Sequence, residues 1–199
     1  MSLVELIAQA DERGLAASGL ACLDRCAPLL GGDDEVLRPL WETLADGGAG
    51  AGGDWTERLE RLRGTFPGPG QATGTPAEDE AALLVRRMLA AAPADRSAAG
   101  MRAWADACSV ASLRVHRLLD PAQEGAGAGA AGAAGVDGCR QDRPEGMSPL
   151  VAAELRRQVT VLELLAGHGA AGLRRVLEVS AEGRRVLRAV VSRRERGRR

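Results

Sequence analysis

The chain has 199 residues, of which 27% are charged and 2% aromatic, and its formal net charge is −1. It contains no lysine, tyrosine or asparagine, so all 26 basic residues are arginine, a bias that indicates a high-GC bacterium. The missing residue types exclude lysine-dependent phosphate loops, Schiff-base enzymes and tyrosine acid–base chemistry.

The low aromatic content also limits how a core can be built. A chain of this length can bury a core, and here that core must consist of leucine, valine and alanine. Such small aliphatic side chains suit closely packed helices better than sheets. Apolar residues recur at three and four positions, and no useful segment alternates as a strand would. The sequence therefore predicts an all-α fold, an irregular helical bundle of seven to eight helices joined by Gly/Ala-rich linkers.

The first three predicted helices follow clear start and stop signals. Ser2 and Glu5 form a capping box in front of an apolar face. A second helix is predicted over about residues 15–30, ending before a pair of glycines. A third starts near residue 33, and Pro39 predicts either a kink in it or a later start.

The next three predicted helices lie between glycine-rich segments. Asp54 predicts the cap of a short helix, and residues 75–78 combine a threonine cap, a proline and a returning glutamate. The clearest apolar stripe lies on a helix over about residues 97–119. Its members step by three and four: Met101, Trp104, Cys108, Ala111, Val115 and Leu118. This spacing predicts a buried face.

A low-complexity segment divides the chain. Residues 121–147 are rich in glycine and alanine and predict a flexible linker. The linker separates a helical bundle over residues 1–120 from a C-terminal helical hairpin with an arginine-rich tail over residues 148–199. Gly183 is a weak point in the last predicted helix, since glycine costs about 1 kcal/mol within a helix.

Charge is distributed unevenly between these parts. From Leu150 to the end there are 12 arginines and 5 glutamates, a net charge of +7, so the preceding residues carry −8. A basic helix face at the tail could contact phosphates, an anionic membrane surface or the acidic body of its own fold. The candidate contact residues are Arg184, Arg185, Arg188, Arg193 and Arg194.

One helical face lines up a serine, a histidine and an aspartate. Ser112, His116 and Asp120 lie four residues apart, which resembles a catalytic triad only in composition. A working triad needs a nucleophile on a tight turn and backbone donors for an oxyanion. We therefore interpret this segment as a helix C-terminus that carries a histidine near the dipole, and assign no catalytic residue.

The four cysteines, at positions 22, 26, 108 and 139, do not form a metal-binding pattern. Cys22 and Cys26 share a helix face, but no second ligand pair completes a zinc knuckle. Without a secretory context, free buried thiols in a reducing cytosol are expected. We therefore assign no metal ligand and no cofactor-binding residue, and expect a cytoplasmic protein without a membrane span.

Acidic clusters raise the possibility of a metal-dependent helical hydrolase. Glu57 and Glu60 form a Glu-x-x-Glu pair, and residues 78–80 and 33–35 are also acidic. A diphosphate-binding site would need further carboxylates on a facing helix, and the sequence does not contain that pattern. Because these runs occur where helices begin, they are interpreted as caps or solvated faces.

These observations favour a non-catalytic helical protein-interaction or regulatory module. Its partner would be another helical chain, and self-association through the C-terminal hairpin is one form of this expectation. The alternative is a nucleic-acid-binding transcriptional regulator that uses the arginine-rich C-terminal helix. A hydrolase built around Glu57, Glu60 and Glu78 would require these side chains to meet in one pocket.

Overall fold

The computed structural model describes residues 1–31, 35–46, 51–66, 74–121, 140 and 147–197, with side chains between 51 and 66 described from residue 54 onward. The all-α prediction is confirmed, because 86% of these described residues are helical and none of them forms a strand. The described α-helices are α1 (Leu3–Gln9), α2 (Glu12–Cys26), α3 (Arg38–Asp46), α4 (Ala51–Thr65), α5 (Pro76–Ala90), α6 (Ala98–Leu118), α7 (Pro149–His168) and α8 (Leu173–Gly197). Short 3₁₀ turns follow α2 at Ala27–Leu30 and α7 at Gly169–Gly172.

Both predicted capping boxes are present. The Ser2 hydroxyl accepts a hydrogen bond from the Glu5 amide, and the Glu5 carboxylate accepts one from the Ser2 amide. Thr75 and Glu78 make the same reciprocal pair at the start of α5. These side chains satisfy amides that have no partner within the helix.

Helix α2 differs from its predicted bounds at both ends. It begins after Asp11, whose carboxylate accepts a hydrogen bond from the Gly14 amide. The α-helix ends at Cys26, and the chain tightens into the 3₁₀ turn that contains Pro28. Proline has no amide hydrogen to donate, so the α-helical ladder cannot continue through it.

The starts of α3 and α4 resolve two further expectations. Helix α3 begins at Arg38, so Pro39 marks a late start rather than a kink. Helix α4 begins at Ala51, which makes Asp54 a first-turn residue and corrects its predicted role as the cap. Low glycine propensity is only a weak bias and does not prevent a helix at this position, and a first-turn carboxylate still interacts favourably with the helix dipole.

Helix α2 lies at the centre of the core. It packs against α6 on one side and against the α7–α8 hairpin on the other. The predicted stripe of α6 is confirmed, with Met101, Trp104 and Cys108 buried in this core. Trp104 contacts Trp55 of α4 edge to face, with the ring centroids 6.0 Å apart.

The C-terminal hairpin shares this core. Its buried apolar residues belong to the same cluster as those of α2 and α6: Val161, Leu162, Leu165, Leu173, Val176 and Leu187. Of the predicted linker, the structure describes only residues 121, 140 and 147, and Arg140 pairs there with Asp106 of α6. The rest of that prediction lies outside the described residues.

Candidate functional site

A buried ion pair joins the centre of the molecule to the C-terminal hairpin. Arg25 on α2 and Glu154 on α7 have no solvent exposure. The arginine Nε donates to Oε2 of the glutamate at 2.8 Å, and its Nη2 donates to Oε1 at 2.7 Å. This two-pronged geometry matches guanidinium to carboxylate and is the strongest form of such a pair.

Neutral side chains from α6 and α7 complete the surroundings of the carboxylate. Ser112 donates its hydroxyl hydrogen to Glu154 Oε1 at 2.7 Å, and Gln158 donates to the same oxygen at 2.9 Å. The Gln158 carbonyl oxygen in turn accepts from Ser109 at 2.7 Å. We call this group the polar junction, and it comprises Cys22, Arg25, Cys26, Ser109, Ser112, His116, Glu154 and Gln158.

The ion pair determines the charge state of the junction. Burial alone would raise the pKa of Glu154, but the Arg25 charge, His116 and the hydrogen bonds together lower it to about 2. Burial lowers the pKa of His116, and the nearby Glu154 carboxylate only partly opposes this. The junction therefore contains an ionised pair beside a neutral imidazole at neutral pH.

The described cysteines are free, buried thiols, as expected for the three that the structure includes. Burial raises the pKa of Cys22 to about 12, although the Arg25 charge opposes the shift. Its sulfur lies 3.5 Å from Arg25 Nη2, and the Cys26 sulfur lies 3.6 Å from the Ser112 hydroxyl. A thiol needs its deprotonated form to react, so these side chains act as buried packing groups.

A second ion pair connects α2 to α8. Arg184 donates to Asp24 at 2.6 Å, and the Asp24 side chain is only 1% exposed. One residue earlier, Gly183 packs against the aliphatic stem of Arg25. A Cβ at Gly183 would lie 2.7 Å from Arg25 Cγ and closer still to Cδ. The weak point predicted in this helix is thus a place where α8 must approach α2 closely.

The five candidate arginines have different roles. Arg184 binds Asp24, and Arg194 donates to the Leu118 carbonyl at the end of α6 at 3.1 Å. Arg185, Arg188 and Arg193 lie at exposed positions of α8. Two of the five therefore hold the hairpin to the rest of the chain, and three face outward.

The serine, histidine and aspartate of α6 do not form a catalytic array. His116 Nδ1 lies 2.8 Å from the backbone carbonyl of Ser112, not from its hydroxyl. The Ser112 hydroxyl points to Glu154 instead. The hydrogen bond between nucleophile and base that a triad requires is therefore absent between these two residues.

The candidate acidic residues serve separate local contacts. Glu57 is 71% exposed and pairs with Arg61 on the same helix at 2.7 Å. Glu60 is also exposed, whereas Glu78 is buried in its capping box with Thr75. Across the described ranges, no group of three or more His, Cys, Asp or Glu side chains is arranged to hold a metal ion.

Sequence reasoning missed the ion pair, although a signal for it exists. The buried face of α7 steps by three and four through Val151, Glu154, Gln158, Val161 and Leu165. Two polar residues thus occupy positions in an otherwise apolar stripe. Because charged side chains are rarely buried without a partner, this register predicts a partner on a facing helix.

Comparisons with other proteins do not add a functional assignment. No protein-family model, curated protein or solved structure matches the chain. Among the helices of the described residues, none has both the length and the apolar character required to cross a membrane. Function must therefore be argued from the geometry of the sites themselves.

Proposed function

We propose that the protein is a non-catalytic helical interaction or regulatory module that binds its partner through the outward face of α8. The observation that supports this proposal is the composition of that face, which combines charges of both signs with an exposed leucine, Leu177, at 39% exposure. Its exposed residues include Arg174, Arg175, Leu177, Glu178, Glu182, Arg185, Arg188 and Arg193. Mixed charge around an apolar contact is typical of a protein interface.

The polar junction supports the same proposal. Arg25, Glu154 and His116 are the residues best suited to proton transfer or anion binding, and each is fully buried. Their hydrogen bonds connect α2 and α6 to the hairpin, so they position α8 instead of facing a substrate. The junction would thus give α8 one defined orientation toward a partner.

A second copy of this chain is the partner that the charges favour. Glu178 and Glu182 lie in the first half of α8, and Arg185 and Arg188 lie in the following turns. In an antiparallel pair of α8 helices related by a two-fold axis, the glutamates of one copy would face the arginines of the other. A two-fold interface must be self-complementary in this way.

Charge reversal tests this pairing. The double variants Glu178→Arg/Glu182→Arg and Arg185→Glu/Arg188→Glu should each be monomeric by light scattering at concentrations where the unchanged chain is a dimer. An equimolar mixture of the two variants should recover the dimer mass, since opposite charges then face each other again. Because Glu182 also pairs with Arg157, circular dichroism must show that each variant is folded. A monomeric unchanged chain, or a mixture that stays monomeric, would contradict the proposal.

A nucleic-acid-binding regulator is the second candidate, and the exposed Arg185, Arg188 and Arg193 near the end of α8 favour it. It predicts that a 24-base-pair DNA duplex binds and that affinity falls steeply with salt. Arg185→Gln/Arg193→Gln should weaken that binding, whereas the matched control Arg174→Gln/Arg175→Gln, at the other end of α8, should not. Absence of a shift with the duplex, or no dependence on salt, would eliminate this candidate.

A further inference from the structure

The carboxylate of Glu154 has unequal hydrogen bonding at its two oxygens. Oε1 accepts from Arg25, Ser112 and Gln158, whereas Arg25 Nε is the donor that the structure places on Oε2. His116 Nε2 lies 3.6 Å from Oε2. The free side of Oε2 is therefore directed toward the imidazole ring.

The hydrogen bond on the other ring nitrogen determines what His116 can offer. Its Nδ1 lies 2.8 Å from the Ser112 carbonyl oxygen, which can only accept, so Nδ1 must carry the hydrogen. In the neutral ring, Nε2 is then a bare acceptor, and it has no hydrogen-bond partner among the described residues. Two acceptors thus face each other in a fully buried site, which is unfavourable.

Protonation of Nε2 would turn one of these acceptors into a donor, but it would also add a positive charge to the buried site. Arg25 already balances the charge of Glu154, so protonation of His116 would leave these three buried side chains with a net positive charge. Four nearby arginines already have carboxylate partners: Arg157 with Glu182, Arg184 with Asp24, Arg114 with Glu80, and Arg140 with Asp106. Asp120 follows one turn after His116 and is also buried.

We propose that protonation of His116 loosens the docking of the α7–α8 hairpin on α2 and α6, which makes the hairpin a pH-sensitive latch. The polar contacts of the junction cross between these two parts of the chain, through Arg25–Glu154, Ser112–Glu154 and Ser109–Gln158. A rearrangement around Glu154 therefore weakens them together. This inference does not depend on what α8 binds.

The direction of the pH effect follows from linkage. Burial lowers the pKa of His116 below its ordinary value of 6.5, which an undocked and solvated ring would recover. The contribution of His116 to docking is therefore present above pH 6.5 and is lost as the pH falls through the lowered pKa. Between pH 7.5 and 5.5, the ratio of docked to undocked hairpin should fall by up to about tenfold, the limit reached when the docked ring stays neutral throughout.

Hydrogen exchange at these two pH values tests the latch on the full chain. Each amide rate is divided by its intrinsic rate at the same pH, and α4, which packs against α3, serves as the internal reference. Protection of α7 and α8 should fall at pH 5.5 relative to α4, by up to about tenfold. The chain has only two histidines, so His168→Gln leaves His116 alone and should keep the effect. His116→Gln should abolish it.

The outcomes separate the latch from general acid sensitivity. A uniform loss of protection in all helices, or no loss in the hairpin of His168→Gln, would overturn the proposal even if His116→Gln does not fold. Persistence of the effect in a folded His116→Gln variant would overturn it as well. Loss confined to the hairpin and dependent on His116 would support it.

Discussion

Helix α2 contacts the rest of the protein through two contrasting surfaces. Toward the first half of α6 the contact is apolar, with Trp104 packed over Gly19, and Trp104 in turn packs against Trp55 of α4. Toward α7 the contact is the polar junction, centred on Arg25 and Glu154. The same helix therefore combines close apolar packing with a buried network of hydrogen bonds.

A glycine occupies the point of closest approach in both surfaces. A Cβ at Gly19 would lie 2.7 Å from the Trp104 ring, and one at Gly183 would lie 2.7 Å from Arg25 Cγ. The indole is additionally held by a 2.9 Å hydrogen bond from its Nε1 to the Met88 carbonyl. The Arg25 stem is held because its guanidinium is bound to Glu154. In both cases, a large side chain anchored at its polar end demands a glycine opposite.

The largest expected effect comes from removing one member of the ion pair. Glu154→Ala should lower the free energy of unfolding by about 3–5 kcal/mol, because Arg25 is left charged and buried without a partner. Urea denaturation measures this difference. The matched control is Glu163→Ala, the same change at an exposed position of the same helix, which should alter stability little. If both variants lowered the free energy of unfolding equally, the buried ion pair would contribute no more to stability than an exposed residue of the same helix.

Replacing both members of the ion pair tests whether the fold needs the two charges themselves or only the absence of an unpaired buried charge. Arg25→Met/Glu154→Leu should unfold within about 1 kcal/mol of the unchanged chain, or at higher urea, because apolar pairs often replace buried ion pairs without loss. A cost as large as that of Glu154→Ala would mean that the junction depends on its charges themselves.

Overpacking the two glycines should have an intermediate effect. Gly183→Ala and Gly19→Ala should each lower the free energy of unfolding by about 1–3 kcal/mol, since neither opposing side chain can move away freely. Gly183→Ala should lower the free energy of unfolding more than Gly19→Ala. A Cβ at position 183 would lie closer to Arg25 Cδ than a Cβ at position 19 would lie to the Trp104 ring. Thermal or urea unfolding of both variants gives the ranking, and a stabilised Gly183→Ala variant would contradict it.

Removing the Asp24–Arg184 pair should have an effect of similar size, and this effect should depend on pH. Arg184→Gln should cost about 1–3 kcal/mol near neutral pH, because Asp24 is left with a buried charge. Burial raises the pKa of Asp24, against the opposing Arg184 charge. In the variant, a raised folded-state pKa means that the penalty is relieved as the pH falls through it. Arg185→Gln, at the exposed neighbouring position, should show neither effect when unfolding is followed at several pH values.

The smallest predicted change is a gain. A Cβ at Gly167 would meet no atom within 4 Å, and this residue lies near the end of α7. Gly167→Ala should therefore raise the free energy of unfolding by about 0.5 kcal/mol through helix propensity alone. Calorimetry that shows a loss instead would indicate that glycine in this chain is required beyond the two close approaches.

Local features of the sequence were sufficient to predict much of the fold. The capping boxes at Ser2 and Thr75 form because their partners lie three residues away, so no tertiary contact is needed. The stripe of α6 is buried because its spacing matches the helical repeat. The predicted cap at Asp54 was wrong, because α4 already begins at Ala51 and the glycines between these residues have weak helix propensity.

The site depended on contacts that are distant in the chain. Arg25 and Glu154 are separated by 129 residues, and although the register of α7 marks Glu154 as buried, it does not identify Arg25 as the partner. The sequence places the five tail arginines in one basic segment of a helix. It does not show which of them contact the rest of the chain. Packing against Asp24 and Leu118 separated Arg184 and Arg194 from the outward-facing Arg185, Arg188 and Arg193.

Composition by itself therefore determined the chemistry that this chain lacks, the helical class and the use of arginine as its only strong base. The tertiary structure decided which of these arginines are buried, because the cost of burial depends on whether a carboxylate arrives from another helix. The near-neutral total charge does not show which arginines are buried and which are exposed. Two of the positive charges, Arg25 and Arg184, are neutralised by Glu154 and Asp24 inside the molecule, while others remain at its surface.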